Sequence, residues 1–189
     1  EDNDIFGNAQ AGVGIMEGSN PVLRRNRIHD GKGSGILVIK NGQGTVEDND
    51  IFGNALPGVG IMEGGNPVLR RNRVHDGKGS GILVYQNGQG TLEDNDIFGN
   101  ALPGVEIEKG GNPVLRRNRI QKNRYQAIWI HDNGGGVFED NDLRDNVKGA
   151  WDISNDSKKN EDARETANDA ALALKLGRNI GARSAPERY

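Results

Sequence analysis

The sequence has no cysteine, which excludes disulfides and thiol chemistry without choosing a compartment. Aromatic residues make up only 5% and hydrophobic residues 33%, too little for an ordinary globular core; composition alone points toward disorder. No run of about 18 apolar residues occurs, so no helix is expected to cross a membrane and no membrane partner is expected. Neither charge dominates: 24 basic and 27 acidic residues give a net −3, which leaves no bulk basic field for nucleic acid. A starting methionine and a signal peptide are also missing. The chain opens inside a repeat, at Glu1-Asp2-Asn3-Asp4-Ile5, and reads as a piece of a longer protein. What it has in excess is glycine, 29 of 189 residues, and internal repetition.

Residues 1–46, 47–92 and 93–138 are near copies, with EDNDIFGNA opening at Glu1, Glu47 and Glu93 and NPVLRRNR at Asn20, Asn66 and Asn112. Each copy divides in two. Asparagine recurs every 23 residues at Asn3, Asn26, Asn49, Asn72, Asn95, Asn118 and Asn141, followed two positions later by Ile5, Ile28, Ile51, Val74, Ile97, Ile120 and Leu143. Further ladders run Val13, Ile36, Val59, Ile82, Val105, Ile128, Trp151; Ile15, Val38, Ile61, Val84, Ile107, Ile130, Ile153; and Leu23, Val46, Leu69, Leu92, Leu115, Phe138. The apolar residues alternate, which is the period of a strand, and most are β-branched. Gly-Asn, Gly-Gly and Asp-Gly steps break the chain too often for helices. A leucine-rich repeat shares the period and the asparagine ladder, but its L-x-x-L-x-L pattern is absent.

The expected fold is therefore all-β: a single-stranded, right-handed parallel β-helix of 23-residue coils over residues 1–155, about six and a half coils. A capping α-helix is expected over 156–178, capped near Asn160 and stopped at Gly177, with a flexible tail over 179–189. The helix would cover the open end of the last coil, while the uncapped N-terminal edge is a candidate surface for self-association.

Most polar residues have a structural explanation. Stacked asparagine amides satisfy one another and the turn backbone. Arginine alternates with acid down three columns: Arg24, Glu47, Arg70, Glu93, Arg116, Glu139; then Arg25, Asp48, Arg71, Asp94, Arg117, Asp140; then Arg27, Asp50, Arg73, Asp96, Arg119, Asp142. These pairs select register, since a one-coil slip would oppose like charges. Each acid is thereby neutralised, so no calcium cluster and no isolated carboxylate pair stands out, and no catalytic residue is assigned. No metal and no cofactor is expected either. His29 and His75 fall about 10 Å apart with Phe52 between them, and each reads as a surface turn residue without a partner.

What the coil does not explain is an outward strip. Gly14, Leu37, Gly60, Leu83, Glu106 and Trp129 form one outward column, and Met16, Ile39, Met62, Tyr85, Glu108 and His131 the next. The binding candidates are Leu37, Ile39, Met62, Leu83, Tyr85, Trp129 and His131, a surface suited to a protein or glycan.

The stretch from Gly64-Gly65-Asn66-Pro67 through Ile97, G-G-N-P-x-L-R-R-N-x-V-x-x-G-x-x-x-G-I-x-V-x-x-x-G-x-G-x-x-E-D-N-x-I, resembles the β-helix of large F-box proteins and the wider carbohydrate-binding and sugar-hydrolase repeat group. The resemblance covers residues 1–153. In the F-box proteins this domain recruits substrates for ubiquitination, but no F-box stands in this sequence and that role is not carried over. The pectate-lyase superfamily uses the same fold to cut acidic polysaccharides. The resemblance implies the fold; for function it leaves a non-catalytic binding module as the first reading, a polysaccharide lyase or hydrolase as the second, and a structural spacer as the third.

Overall fold

The structure, a computed structural model, describes residues 1–157, 174–176 and 179. Each coil contributes one short strand to each of three parallel sheets. The first sheet stacks β1 (Asp4–Phe6), β4 (Arg27–His29), β7 (Asp50–Phe52), β10 (Arg73–His75), β13 (Asp96–Phe98) and β16 (Arg119–Gln121). The second stacks β2 (Val13–Ile15), β5 (Ile36–Val38), β8 (Val59–Ile61), β11 (Ile82–Val84), β14 (Val105–Ile107), β17 (Ile128–Ile130) and β19 (Trp151–Ile153). The third stacks β3 (Val22–Arg24), β6 (Thr45–Glu47), β9 (Val68–Arg70), β12 (Thr91–Glu93), β15 (Val114–Arg116), β18 (Gly136–Glu139) and β20 (Leu174–Leu176). Until the last coil every partner lies 23 residues away, as in Ile5 with Ile28 or Leu92 with Leu115.

The inward ladders are the core. Ile28, Ile51, Ile36, Val38, Val46, Leu69, Ile107 and Phe138 are essentially fully buried. The glycine ahead of the second ladder follows from the close packing of this core. A Cβ on Gly81 would lie 2.5 Å from Ile97 Cγ2 and 2.6 Å from the Gly104 carbonyl oxygen.

The corner between the third and first sheets is the tightest. Only two residues separate Arg24 from Arg27, and the first of them is left-handed in every coil, from Arg25 (φ 52°) and Asp48 (57°) to Asp140 (55°). Non-glycine residues pay conformational energy there. The asparagine that follows offsets it. Asn72 donates its backbone N–H and its side-chain Nδ2 to Asn95 Oδ1, both at 3.0 Å, and Nδ2 also to the Val46 carbonyl at 2.8 Å. Its own Oδ1 accepts from the N–H and Nδ2 of Asn49. A second ladder, absent from the sequence reading, links Asn100, Asn123 and Asn146, with Gly77 donating its N–H to Asn100 and Gly31 donating to Asn54.

The three charge columns form as expected. Glu47 is the most enclosed acid, with a side chain only 2% exposed. It accepts from Arg24 Nε at 2.6 Å, from Arg70 Nε at 2.5 Å and from Arg71 Nη2 at 3.0 Å. Those hydrogen bonds, Arg70 first and then Arg24, hold its carboxyl down at about 2.

The C-terminal end differs in part from expectation. Residues 155–157 are helical, and 158–173 lie outside the described residues. Leu174–Leu176, expected in the helix, instead form β20 and pair with Gly136–Phe138. Asn179, expected in the tail, accepts from the N–H and Nδ2 of Asn141, both at 2.9 Å, and so extends the ladder. An open parallel edge offers unpaired backbone groups and one unsatisfied amide, and a returning strand satisfies both where a helix could only cover them.

Two outcomes test this account. Asn95→Ala strips Asn72 of its acceptor inside the stack and is expected to cost about 3 kcal/mol by urea denaturation. Asn3→Ala, at the exposed first coil, is expected to cost far less. Equal losses would show that the ladder is not cooperative. Because Glu47 has a folded pKa near 2 against an ordinary 4.5, its contribution is complete above pH 4.5 and fades as the pH falls toward 2. Glu47→Gln is therefore expected to be less stable than wild type at neutral pH, with the difference closing across that interval.

Candidate functional site

Strand alternation directs Leu37, Leu83 and Trp129 outward from the second sheet, in one column with Gly14, Gly60, Glu106 and Asp152. Ile39, Met62, Tyr85 and His131 stand just past the strand ends, in a column with Glu108. All seven sequence-selected residues are half-buried rather than open. Coils about 4.8 Å apart let each outward side chain lean on those above and below. Leu37 fills the space left by Gly60, since a Cβ there would lie 3.1 Å from Leu37 Cδ1. The exposed large apolar side chains among the described residues are others: Phe6, Met16, Val22, Leu56, Leu102 and Val147.

The strip changes character along its length. Leu37, Ile39, Met62 and Leu83 form an apolar stretch, whereas the coils of β14 and β17 carry a polar and aromatic cluster. His131 Nε2 lies 3.3 Å from Glu106 Oε1 and 3.7 Å from Glu108 Oε2. Glu106 also accepts from Ser80 Oγ at 2.5 Å, and Lys109 Nζ lies 3.6 Å from Glu108. All three side chains are about one-sixth exposed, namely 16% for Glu106, 17% for Glu108 and 16% for His131. The Trp129 ring packs 4.1 Å from the His131 ring and 5.9 Å from Tyr125, and Lys148 Nζ sits 3.3 Å from the Tyr125 centroid. Gln126 Nε2 donates at 3.2 Å to Asp152, one coil beyond Trp129, and the buried Gln126 Oε1 has no partner among the described residues.

The sequence singles out no isolated carboxylate pair; the structure gathers Glu106, Glu108, Tyr125 and Asp132, none of them among the seven binding candidates, around Trp129 and His131. The signal was available, because Gly14-x-Met16 and Gly60-x-Met62 become Glu106-x-Glu108 only in the third copy. Ligand atoms of Glu108, His131 and Asp132 also lie within 4.8 Å of one another, a nitrogen and carboxylate set that could hold a divalent cation.

The other histidines are corrected as well. His29 and His75 are side-chain buried to within 13% and 12% and have partners at both ring nitrogens. His75 Nδ1 lies 2.8 Å from Asp76 and Nε2 3.0 Å from Asp50, and His29 repeats this with Asp30 and Asp4. Their rings alternate with phenylalanine in one outward stack, Phe6, His29, Phe52, His75, Phe98, with centroids 4.5–5.5 Å apart. The Nδ1 partner is the next residue of the same turn, and the Nε2 partner comes from the charge column one coil earlier, which reading each turn alone does not reveal.

Burial, and then the carboxylates of Glu108 and Glu63, raise the Tyr85 hydroxyl above its ordinary 10. Glu108→Gln is expected to bring its titration part of the way back, read by alkaline ultraviolet difference spectra against Tyr85→Phe. An unchanged midpoint would place Glu108 away from Tyr85.

The family model described as "Right handed beta helix region" matches residues 1–64 and 40–163. Among solved structures, the periplasmic alginate epimerase AlgG is similar at a TM-score of 0.61 and 22% identity, covering 94% of this chain and 38% of that one. Its T265N mutant is similar at 0.65 and 15%, covering 95% and 49%. The chain thus spans less than half the length of these structures, and at such identity the likeness is one of fold. No curated protein matches by sequence. The chain belongs to the right-handed parallel β-helix family.

Proposed function

We propose that the outer face of the second sheet is a non-catalytic binding surface for a polysaccharide, engaged mainly by the coils of β14 and β17. The observation that carries this reading is the Trp129 cluster, in which an aromatic ring is flanked in its column by Glu106 and Asp152 and lies beside His131 and Tyr125. Sugar rings present an apolar face to an aromatic and hydroxyls to acceptors around it. Carboxylates accept such hydroxyls well, and the orphan Gln126 Oε1 offers one more acceptor to a hydroxyl or a bridging water. Glu106, Glu108, Asp132 and Asp152 against Lys109 and Lys148 give the face a negative balance, which favours a neutral chain over a polyuronate.

A second reading, a carbohydrate-processing enzyme, is favoured by one feature: two carboxylates share His131 Nε2, an arrangement suited to moving a proton. The structural neighbours are named as alginate epimerases, so alginate belongs in the panel.

The test is a fluorescence titration in a Trp151→Phe background, which leaves Trp129 as the reporter. Neutral polysaccharides are expected to give a saturable change, and Trp129→Ala, followed by calorimetry, to weaken binding about tenfold or more. Affinity unmoved by Trp129→Ala and by Tyr125→Ala would sink the proposal. Release of products from neutral polysaccharides or alginate, abolished by Glu106→Gln or His131→Ala, would replace it with the second reading.

A further inference from the structure

A different face of the molecule carries a second departure from the repeat. In the first two copies, an outward histidine of the first sheet is followed by an aspartate: His29-Asp30 and His75-Asp76. Each imidazole lies flat against phenylalanine while its own aspartate holds Nδ1, so the phenylalanine faces between them are filled from within the chain. The third copy has Gln121-Lys122 at the same positions. The ring is lost and the carboxylate is replaced by an ammonium.

The consequence is local and visible. Phe98 is stacked on one side by His75, at 4.6 Å and 4°, and among the described residues no ring covers its other side. There the structure has a cavity of about 300 Å³ lined by Arg73, Asp96, Phe98, Arg119, Gln121 and Lys122. Arg119 is held by Asp96 through two hydrogen bonds. Arg73 lies over Phe98 with its guanidinium carbon 5.6 Å from the ring centroid, and reaches Asp50 at 3.2 Å. Lys122 is exposed and forms no ion pair among the described residues. The cavity thus joins an apolar ring wall to an amide and a surplus of positive charge.

We propose that this cavity binds a small molecule bearing a carboxylate on a six-membered ring, which supplies from outside the ring and the carboxylate that His29-Asp30 and His75-Asp76 supply from inside. The ring rests against Phe98 and the carboxylate accepts from Lys122 and Arg73. An aromatic acid and a uronic acid share this chemistry. Nothing in the inference depends on the polysaccharide reading of the second sheet.

The experiment uses the whole chain and follows amide shifts around Phe98 and Gln121 in ¹H–¹⁵N spectra. The probes are benzoate and glucuronate, with benzyl alcohol, glucose and acetate as partners lacking the charge or the ring. Saturable binding of benzoate, glucuronate or both is expected, and which one binds more tightly identifies the source. Lys122→Glu is expected to weaken it about tenfold, the loss of one charge-assisted hydrogen bond. The pair Gln121→His with Lys122→Asp rebuilds the arrangement of the first two copies; it is expected to fold at least as stably as wild type and to lose binding. Absence of saturable binding by both acids would overturn the proposal. So would unchanged affinity in the rebuilt variant, or equal binding of acetate, benzyl alcohol or glucose.

Discussion

Every ladder asparagine from Asn26 to Asn141 accepts, on one oxygen, both the backbone N–H and the side-chain amide of the asparagine one coil earlier. A buried amide has few satisfactory positions, and this one is satisfied only when the next coil presents its own amide in the same place. The left-handed corner residue, the inward ladders and the alternating charges are all held to that repeat. The constraint is one of register rather than of length. Asn179 follows Asn141 by 38 residues rather than the usual 23, yet it takes the same two hydrogen bonds. An excursion is tolerated if it leaves after a complete strand and returns in phase, because closing a longer loop costs little per added residue.

That distinction decides what could be read from the sequence. The 23-residue period, the inward ladders, the first asparagine ladder and the three charge columns were all legible, because each coil states them again without insertion. The return of the chain at Leu174 was not legible, since the shift of 38 breaks the period. Leu176-Gly177-Arg178-Asn179 nevertheless echoes Leu115-Arg116-Arg117-Asn118. The alanine and leucine content of that stretch favours a helix, and tertiary pairing overrides local preference at β20. The second asparagine ladder was hidden for a different reason. Gly31 and Gly77 interrupt it in alternate coils, so its backbone donors continue where its side chains do not.

Candidate sites are harder to see because the repetition that reveals the coil also hides them. Repetition makes a charged residue look structural, which is right for Glu47 and Asp96 and wrong as a general rule. Here the outward positions are freed from the core, so a change there costs the stack little. The third copy uses this freedom: Glu106, Glu108, Trp129 and His131 replace a mosaic of glycine, methionine, aliphatic residues and Tyr85 on the second sheet, and Gln121-Lys122 replaces His-Asp on the first. Its inward residues remain Val105, Ile107, Ile120, Ile128 and Ile130, all buried. The buried changes of that copy are few, Asn123 and Ala127 for glycine, Gln126 for serine and Phe138 for an aliphatic residue, and a departure concentrated at outward positions is the pattern expected of a scaffold that carries a binding site.

The two departures are opposite in charge. On the second sheet the carboxylates outnumber the cations around Trp129, while on the first sheet Arg119 is held by Asp96 and Lys122, beside Arg73, forms no ion pair among the described residues. A net charge of −3 conceals this, because the charge columns cancel within themselves and leave only the outward exceptions to set the local field. One stack of coils can therefore offer an acidic, aromatic strip on one face and a small cationic cavity on another. Screening over about 8 Å at physiological salt keeps exposed charges on separate faces nearly independent. The rigid register that makes the coils alike is what allows their exceptions to act separately.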